Sequence, residues 1–261
     1  MLLAIDVGNT STKIGLFKGN LLSLKKEIRT VCEEETLKRE IAHLRIKRGI
    51  PSIVSSVVVA IDPLLGKILV ELTGKEPIFV DPGKQNLIPL AVDSPEEVGS
   101  DRIANAIAAK EIYGTPAIVV DFGTATTFDC LSKKGEYLGG LIAPGVTTSL
   151  LNLSDKAAKL PVIELKKPET VIGKSTVKAM QAGIYFSTLY GIQGILRRLK
   201  EELGEETIVV ATGGLAEFIG RDCPLIKAIN PDLTLEGLRI IYEKLLIIGS
   251  DYRSGRTCQT N

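Results

Sequence analysis

The sequence lacks several features that would place the chain in a specialised class of protein. Its 32 Lys and Arg residues nearly balance 31 Asp and Glu, so a net charge of +1 offers no overall field to attract nucleic acid or an anionic membrane. The four cysteines include no CxxC pair, and His43 is the one histidine, which argues against a disulfide framework and a zinc site. No apolar run approaches the ~18 residues of a membrane span, and no signal core opens the chain. These absences predict a cytoplasmic protein with reduced thiols that holds any anionic ligand locally.

The composition that remains is that of a globular protein. Of the 261 residues, 44% are hydrophobic and 24% are charged, and the mean hydropathy is +0.20, which suits one or two compact domains. Glycine occurs 25 times, above its usual share of ~7%. Several of these glycines stand in short clusters beside Asp and Thr, and these clusters are candidate ligand-binding turns.

Two of the clusters repeat one pattern. Asp6 opens the segment DVGNTST, and Asp121, 115 residues later, opens DFGTATT, with an apolar strand before each Asp and another strand after each turn. An offset close to half the chain predicts two similar domains. We place them at 1–115 and 116–250, followed by a polar tail at 251–261.

Hydrophobic periodicity and turn residues predict alternating strands and helices. A Ser-Pro-Glu-Glu sequence at Ser94 is typical of a helix start, and Gly99 predicts an interruption in that helix. Strands are predicted at 2–7, 14–17, 52–60, 77–80, 87–92, on both sides of the turn within 117–131, in a segment ending in the GGLIAPG cluster at 139–145, and at 207–212. Helices are predicted at 34–48, 62–73, from Ser94 to Tyr113, at 174–203 and at 235–246.

The turn after Asp6 has the chemistry of a phosphate-binding loop. Gly8 lets backbone N–H groups approach a ligand, the following Asn, Thr and Ser offer hydrogen bonds, and Lys13 adds a positive charge. Because like charges repel, Asp6 suits a metal ion held between its carboxylate and a phosphate. The alternative is an ordinary hairpin turn, in which Asn and Gly are common.

Other nucleotide-binding motifs fail on inspection. GKST at 173–176 imitates the end of a Walker A loop, but Pro168 stands where that loop needs its first glycine. No GxGxxG follows a strand. VVATGG at 209–214 would let an adenosine lie against the backbone, and a plain strand-to-helix turn explains it equally well.

Together, DVGNTSTK, PEEVGSDRIANA, VVDFGTATTFD, GGLIAPG and ATGG resemble type III pantothenate kinase, a family of the actin, Hsp70 and sugar kinase superfamily. The resemblance covers residues 1–246, and the combination of GSDR with DFGTATT is its most specific part. It implies two RNase H-like α/β domains with a nucleotide cleft between them. It also implies ATP-dependent phosphorylation of pantothenate to 4′-phosphopantothenate, the first step of coenzyme A biosynthesis, by a homodimer that uses Mg²⁺ and a monovalent cation, K⁺ or NH₄⁺.

The resemblance also implies roles for individual residues. Asp101 is the proton acceptor, Asp121 is the ligand of the monovalent cation, and Asp6 can hold Mg²⁺ through water. The ATP-binding residues are Asp6, Val7, Gly8, Asn9, Thr10, Ser11, Thr12, Lys13 and Thr124. The pantothenate-binding residues are Gly99, Ser100, Asp101, Arg102 and Thr176. One departure concerns Val92, at a position where the family often has a Tyr that contacts substrate.

The chemistry of Asp101 and Arg102 fits these roles independently. A carboxylate near the attacking hydroxyl can take its proton, and an arginine can bind the carboxylate of pantothenate. The alternative is an exposed charge pair on a helix, the commoner origin of such a dipeptide. His43 is interpreted as a surface residue and Asp129 as solvent-facing. The apolar positions Ile184, Leu189, Ile192, Ile195, Leu196 and Leu199 suit either a core or a dimer interface.

Two rival functions stay open at this point. One is a regulatory or accessory protein that keeps the nucleotide-binding fold without catalysis, against which the intact GSDR argues. The other is a different small-molecule kinase on the same fold, which fold alone does not exclude.

Overall fold

The computed structural model describes residues 1–30, 33–44, 46–157 and 159–254. Cys32, Cys258 and residues 255–261 of the predicted tail lie outside that description. Cys130 and Cys223 are buried free thiols. Within the described ranges no helix combines the length and the apolar character needed to cross a membrane. The described chain divides into two compact units, 1–89 with 93–108 and 234 onward, and 90–92 with 109–233. The predicted boundary after residue 115 stays a prediction.

The first unit is built on a five-stranded sheet in the order β3-β2-β1-β4-β5. β1 is antiparallel to β2 and parallel to β4, and its apolar residues Leu3, Ile5 and Val7 belong to the core. The strands are β1 (Leu2–Val7), β2 (Ser11–Lys18), β3 (Leu21–Arg29), β4 (Ser52–Ser56) and β5 (Ile78–Phe79). The helices are α1 (Glu34–Ala42), α2 (Asp62–Thr73), α3 (Ser100–Tyr113), which continues into the second unit, and α7 (Leu233–Ser254).

The second unit repeats this plan. Its sheet has the order β10-β9-β6-β7-β8, with β6 antiparallel to β7 and parallel to β9. The strands are β6 (Ala117–Phe122), β7 (Ala125–Leu131), β8 (Tyr137–Pro144), β9 (Ile208–Thr212) and β10 (Ala228–Ile229). The helices are α4 (Val146–Lys156), α5 (Thr176–Leu203) and α6 (Ala216–Gly220). Each sheet joins three antiparallel strands to two parallel ones, which confirms the RNase H-like α/β architecture that the resemblance implies.

Several predicted elements differ from those observed. The strand predicted at 52–60 ends at Ser56, because residues 59–61 form a 3₁₀ turn that leads into α2. No strand covers 87–92, where Leu90 makes only an isolated bridge to Tyr137. The helix predicted from Ser94 is a short 3₁₀ turn at 95–97, and the α-helix begins at Ser100 because Val98 is extended. α1 ends at Ala42, ahead of the predicted residue 48.

Four elements, β3, α4, α6 and β10, are absent from the prediction. β3 has a polar sequence because it is a sheet edge whose residues are mostly exposed. α4 follows Gly145 directly and begins with the β-branched residues Val146, Thr147 and Thr148, which have low helix propensity. β10 has only two residues. These elements depend on tertiary contacts more than on a strong local pattern.

The apolar positions of α5 form the core of the second unit. Leu189, Ile192 and Leu196 are buried there, and Ile184, Ile195 and Leu199 pack against the same cluster. The partners of this helix include the β6 residues Ile118, Val120 and Phe122. Of the two interpretations left open by the sequence, these six positions are core.

Candidate functional site

The turn between β1 and β2 is a tight loop closed by backbone hydrogen bonds. Gly8 N–H donates to Ser11 O over 3.0 Å, and a Cβ on Gly8 would lie 3.0 Å from that same oxygen. Asp6 and Lys13 are opposite each other in the β1–β2 ladder, so both side chains lie on one face of the sheet. Asn9 and Thr10 are exposed at the tip. Among the predicted ATP-binding residues, Val7 and Thr12 are buried, so each can offer a ligand little more than its backbone.

Thr30, which the sequence analysis did not single out, supports this turn from β3. Its hydroxyl donates to Gly8 O over 2.6 Å and lies 3.0 Å from the hydroxyl of Thr12, while its N–H donates to Thr10 O over 3.1 Å. These three bonds tie the loop to the residue that follows β3. A threonine just after a polar edge strand carries no recognisable signal in the sequence.

The GSDR segment lies at the start of α3 and is anchored to β4. Ser100 Oγ is 2.9 Å from Ser55 Oγ in a buried contact, and Ser56 N–H donates to Ser100 Oγ over 3.2 Å. Ser55 is paired in register with Asp6 across the parallel β1–β4 ladder. The first unit therefore places GSDR beside the strand end that carries Asp6. Ser55 was missed because a serine inside an apolar strand has no distinct pattern.

Asp101 is held close to the backbone of its own helix start. Arg102 N–H donates to Asp101 Oδ1 over 2.8 Å, and a Cβ on Gly99 would lie only 2.5 Å from that oxygen. Glycine at 99 is thus required for this placement of the carboxylate. Burial raises the pKa of Asp101 above the ordinary 3.8, although its hydrogen bond from Arg102 N–H and the charge of Arg102 act in the opposite direction. A raised pKa suits a group that accepts a proton during reaction.

The second turn, between β6 and β7, is also closed by a hydrogen bond from its glycine N–H, to a carbonyl two residues on instead of three. Gly123 N–H donates to Ala125 O over 3.1 Å. The carbonyl of Thr124 accepts from Gly145 N–H over 3.2 Å and from the hydroxyl of Thr148 over 2.7 Å. A Cβ on Gly145 would lie 2.2 Å from Thr124 O, so the last glycine of GGLIAPG lets the start of α4 lie directly on this turn. Thr148 is a second supporting residue that the sequence did not indicate.

The ATGG turn at the end of β9 reaches Asp121. Asp121 is paired in register with Thr127 on β7 and with Thr212 on β9, which places the three side chains in one row on one face. Gly213 has a φ of +92°, and a Cβ there would lie 2.4 Å from Asp121 Oδ1. The second unit therefore brings together three of the glycine clusters, DFGT, GGLIAPG and ATGG.

Thr176 and Val92 are placed apart from these contacts. Thr176 is exposed at the first residue of α5, where the preceding Ser175 caps the helix by accepting a hydrogen bond from Lys178 N–H over 3.3 Å. GKST thus stands at a helix start in this structure. Val92 is partly exposed beside Gly139.

Asp129 does not face solvent as predicted. It is fully buried, and its Oδ1 accepts a hydrogen bond from the equally buried Tyr137 hydroxyl over 2.8 Å. Side chains alternate between the two faces of the sheet along β7, so Asp129 lies on the same face as Thr127. At the position of Asp129 this face is buried. Burial with a hydroxyl partner makes it a structural carboxyl.

A surface hollow of the first unit lies elsewhere. It has a volume of about 530 Å³ and lies between the start of α2 and β5, where Asp62, Lys67 and Phe79 line it. None of the predicted site residues is among its lining residues.

Comparison with solved structures defines the class of fold. Solved structures with the same fold include an activator of 2-hydroxyisocaproyl-CoA dehydratase from Clostridium difficile with bound ADPNP, with a TM-score of 0.52 and 14% identity over 100% of this chain and 99% of that chain. The ethanolamine utilization protein EutJ from Carboxydothermus hydrogenoformans has a TM-score of 0.54 and 14% identity over 92% and 89%. A Campylobacter jejuni protein described as a candidate Baf family transcriptional activator has a TM-score of 0.61 and 19% identity over 94% and 99%. At these identities the likeness shows an actin-like ATPase and sugar kinase fold.

Sequence comparison identifies the family within that class. A model of type III pantothenate kinase matches residues 2–198. The type III pantothenate kinase of Moorella thermoacetica is 46% identical over 94% of this chain and 99% of its own length, and that of Koribacter versatilis is 43% identical over 94% and 96%. The chain belongs to the type III pantothenate kinase family.

Proposed function

We propose that the protein transfers the γ-phosphoryl group of ATP to the primary hydroxyl of pantothenate, giving 4′-phosphopantothenate and ADP at the first step of coenzyme A biosynthesis. The observation that carries the proposal is the anchored GSDR segment, in which Gly99, the Ser55–Ser100 contact and the helix start hold the Asp101 carboxylate in one place. The predicted cytoplasmic location is consistent with a step that consumes ATP.

Asp101 is proposed to act as the general base. As the hydroxyl oxygen of pantothenate forms its bond to the γ-phosphorus, the bond from that phosphorus to the β,γ-bridging oxygen breaks, and the hydroxyl proton passes to the Asp101 carboxylate. Arg102 is proposed to bind the carboxylate of pantothenate, with Gly99, Ser100 and Thr176 as further contacts. The start of α3 adds a positive electrostatic potential that favours an anionic substrate.

The turns are proposed to bind ATP. Backbone N–H groups of the turn after Asp6, together with the side chains of Asn9, Thr10, Ser11 and Lys13, suit phosphate oxygens, and Thr124 suits a further contact. The exposed tip of the first turn and the three bonds from Thr30 support this role.

The chemistry of the available ligands is compatible with the two cations that the family resemblance implies. The described residues contain no group of three or more His, Cys, Asp or Glu able to enclose a metal ion. Mg²⁺ commonly keeps several waters and binds through one or two carboxylates plus substrate phosphates, which fits Asp6 acting through water. A monovalent cation such as K⁺ takes carbonyl, hydroxyl and carboxylate oxygens, which suits Asp121 at the end of β6. When bound, these ions neutralise charge on the phosphates.

The homodimer implied by the resemblance is also part of this proposal. Large apolar side chains are exposed in the second unit on β8, on α4, in the segment between α4 and α5, and on α5. They include Ile142, Leu151, Val162, Val171, Ile172 and Tyr190. Exposed apolar side chains on these elements can be buried against a partner, and the proposed partner is a second copy. Sedimentation should give a dimer, and an Ile172→Asp variant should shift the protein toward monomer, whereas Val59→Asp in the first unit should not.

The decisive experiment is product analysis with purified protein. Mass spectrometry should detect 4′-phosphopantothenate in the presence of ATP, Mg²⁺ and K⁺, and Asp101→Asn should lose most of the turnover. Pantetheine and simple sugars, assayed in parallel, separate the rivals. Phosphorylation of a sugar in place of pantothenate would indicate a different kinase, and ATP binding without any product would indicate an accessory protein.

A further inference from the structure

Thr212 contains a buried hydroxyl without a hydrogen-bond partner. It is the last residue of β9 and is fully buried, and its Oγ1 makes no hydrogen bond in the part of the chain that the structure describes. An unmade hydrogen bond at a buried hydroxyl is costly, so native proteins rarely keep one without a reason. The oxygen retains lone pairs that can accept a hydrogen bond or bind a cation.

The position of Thr212 indicates which ligand this oxygen suits. Thr212 and Asp121 are paired in register on adjacent parallel strands, so both side chains project from the same face at the carboxyl ends of β9 and β6. The backbone of Gly213, which follows, lies so close to Asp121 that an added Cβ would be 2.4 Å from Oδ1. A carboxylate, a hydroxyl and the peptide groups of the ATGG turn therefore lie together at one end of the sheet.

We propose that Thr212 is a second ligand of the monovalent cation assigned to Asp121, with Oγ1 as its coordinating atom. This inference rests on the proposed cation requirement. A neutral hydroxyl beside a single carboxylate gives a site of low charge, which suits K⁺ or NH₄⁺ better than a divalent ion. Cation binding also gives the buried oxygen the partner that the protein does not supply.

The alternative is that Thr212 only packs, as a β-branched residue in a strand, with an incidental hydroxyl. Thr126 provides a matched control because its Oγ1 is also buried without a hydrogen bond, but on the opposite face of the same sheet, in register with the core residue Phe122. Thr212→Val and Thr126→Val each remove one such hydroxyl and conserve shape. Thr212→Ser keeps the oxygen and serves as the rescue.

The first measurement is the affinity for Tl⁺, a spectroscopic substitute for K⁺. ²⁰⁵Tl NMR monitors Tl⁺ binding in the presence of Mg²⁺ and a non-hydrolysable ATP analogue. Thr212→Val should weaken Tl⁺ binding roughly tenfold, the typical effect of losing one interaction with a charged group. Thr212→Ser and Thr126→Val should bind as the wild type does. Thr212→Ala gives the same comparison if the valine variant does not fold.

The second measurement is thermal unfolding in KCl and in choline chloride at equal ionic strength. Ligand binding to the native state raises the unfolding temperature, so the wild type should gain stability specifically from K⁺. In choline chloride Thr212→Val should melt no lower than the wild type, because an unpaired buried hydroxyl has been removed. In KCl it should lose most of the K⁺-dependent gain, which a packing role alone would not affect.

Three results would overturn the assignment of Thr212: unchanged Tl⁺ affinity in Thr212→Val, an equal loss in Thr126→Val, or no Tl⁺ binding by the wild type. Pantothenate phosphorylation measured on the same preparations keeps the two proposals separate. If product forms and any of these results is obtained, Thr212 is not a cation ligand and the proposed kinase function is retained. If no product forms but the variants bind Tl⁺ as expected, the proposed kinase function is rejected and the cation site is retained.

Discussion

Ser100 Oγ lies 2.9 Å from Ser55 Oγ, and this buried contact joins the start of α3 to the end of β4. The two residues are 45 positions apart in the chain. Because β4 is parallel and adjacent to β1, the contact aligns GSDR with Asp6 within one unit. It follows that the helix start is held by the sheet, and its stability should depend on both serines.

A double-mutant cycle tests this dependence. Ser55→Ala should cost about 1 kcal/mol of unfolding free energy, and Ser100→Ala more, about 1–3 kcal/mol, because it also leaves Ser56 N–H without its acceptor. The double variant should cost less than the sum, as expected for residues in contact. Urea unfolding measures all three. The exposed Ser187→Ala should stay within about 0.5 kcal/mol of wild type, and strict additivity of the pair would contradict the coupling.

Gly99→Ala should impair catalysis more than stability. The added Cβ would lie 2.5 Å from Asp101 Oδ1, so the carboxylate must move from its position at the helix start. A displacement of about 1 Å at a reacting group can cost on the order of 10²-fold in rate. Steady-state kinetics with pantothenate should show a lower kcat. Gly194→Ala, whose added Cβ meets nothing within 4 Å in α5, should leave kcat unchanged, and equal kcat values for the two variants would contradict the requirement for Gly99.

Asp101→Asn should separate activity from stability. Loss of a general base lowers kcat by roughly 10²–10⁴. Burial raises the pKa of Asp101 above its value in the unfolded state. Between these two pKa values the native state therefore binds more protons than the unfolded state. Because of this difference, the free energy of unfolding falls as the pH rises through that window. At neutral pH the asparagine variant should therefore unfold at the same temperature as the wild type or higher. A large drop in melting temperature would show that the carboxylate is instead structural.

The pH profile of kcat/KM should report the same group. Asp101 acts when deprotonated, so activity should fall on the acid side as pH drops through a pKa above the ordinary 3.8. Asp62 is a suitable control because burial also raises its pKa, while it lies in the hollow at α2. Asp62→Asn should leave the acid limb in place. The acid limb would belong to a group other than Asp101 if it shifted in Asp62→Asn, or if its pKa in the wild type were at or below 3.8.

Gly145→Ala should damage the second turn. Its Cβ would lie 2.2 Å from Thr124 O and 2.5 Å from Gly123 O, both backbone atoms that cannot rotate away. We expect weaker ATP binding and a loss of more than about 1 kcal/mol in stability, since overpacking against backbone typically costs 1–3 kcal/mol. Calorimetric titration with an ATP analogue and urea unfolding measure the two effects. Thr148→Val removes only the side-chain hydrogen bond to Thr124 O, so it should reduce ATP affinity and stability less than Gly145→Ala does. Larger losses in Thr148→Val than in Gly145→Ala would contradict the close approach of Gly145.

The sequence alone was enough to predict the α/β fold with its repeated turn, while the roles of the candidate site residues stay predictions. The two Asp-Gly turns mark strand ends in both halves because a tight turn and a close backbone approach require specific residue types, which local sequence records directly. DFGT and ATGG were recognisable for the same reason, and GSDR was recognisable through the family resemblance. Apolar periodicity located α5, although only packing decided that its six apolar positions belong to the core.

Tertiary structure decided what supports these motifs. Thr30, Ser55 and Thr148 are ordinary polar residues in sequence, and they matter because folding brings them to a turn or a helix start from 20 or more positions away. The surroundings of Asp129 and Thr212 were likewise not evident from the sequence, and strand register determined that one is buried against Tyr137 and the other lies beside Asp121. Local sequence determines the backbone shape of a turn, whereas burial and long-range hydrogen bonds depend on which distant strand becomes its neighbour.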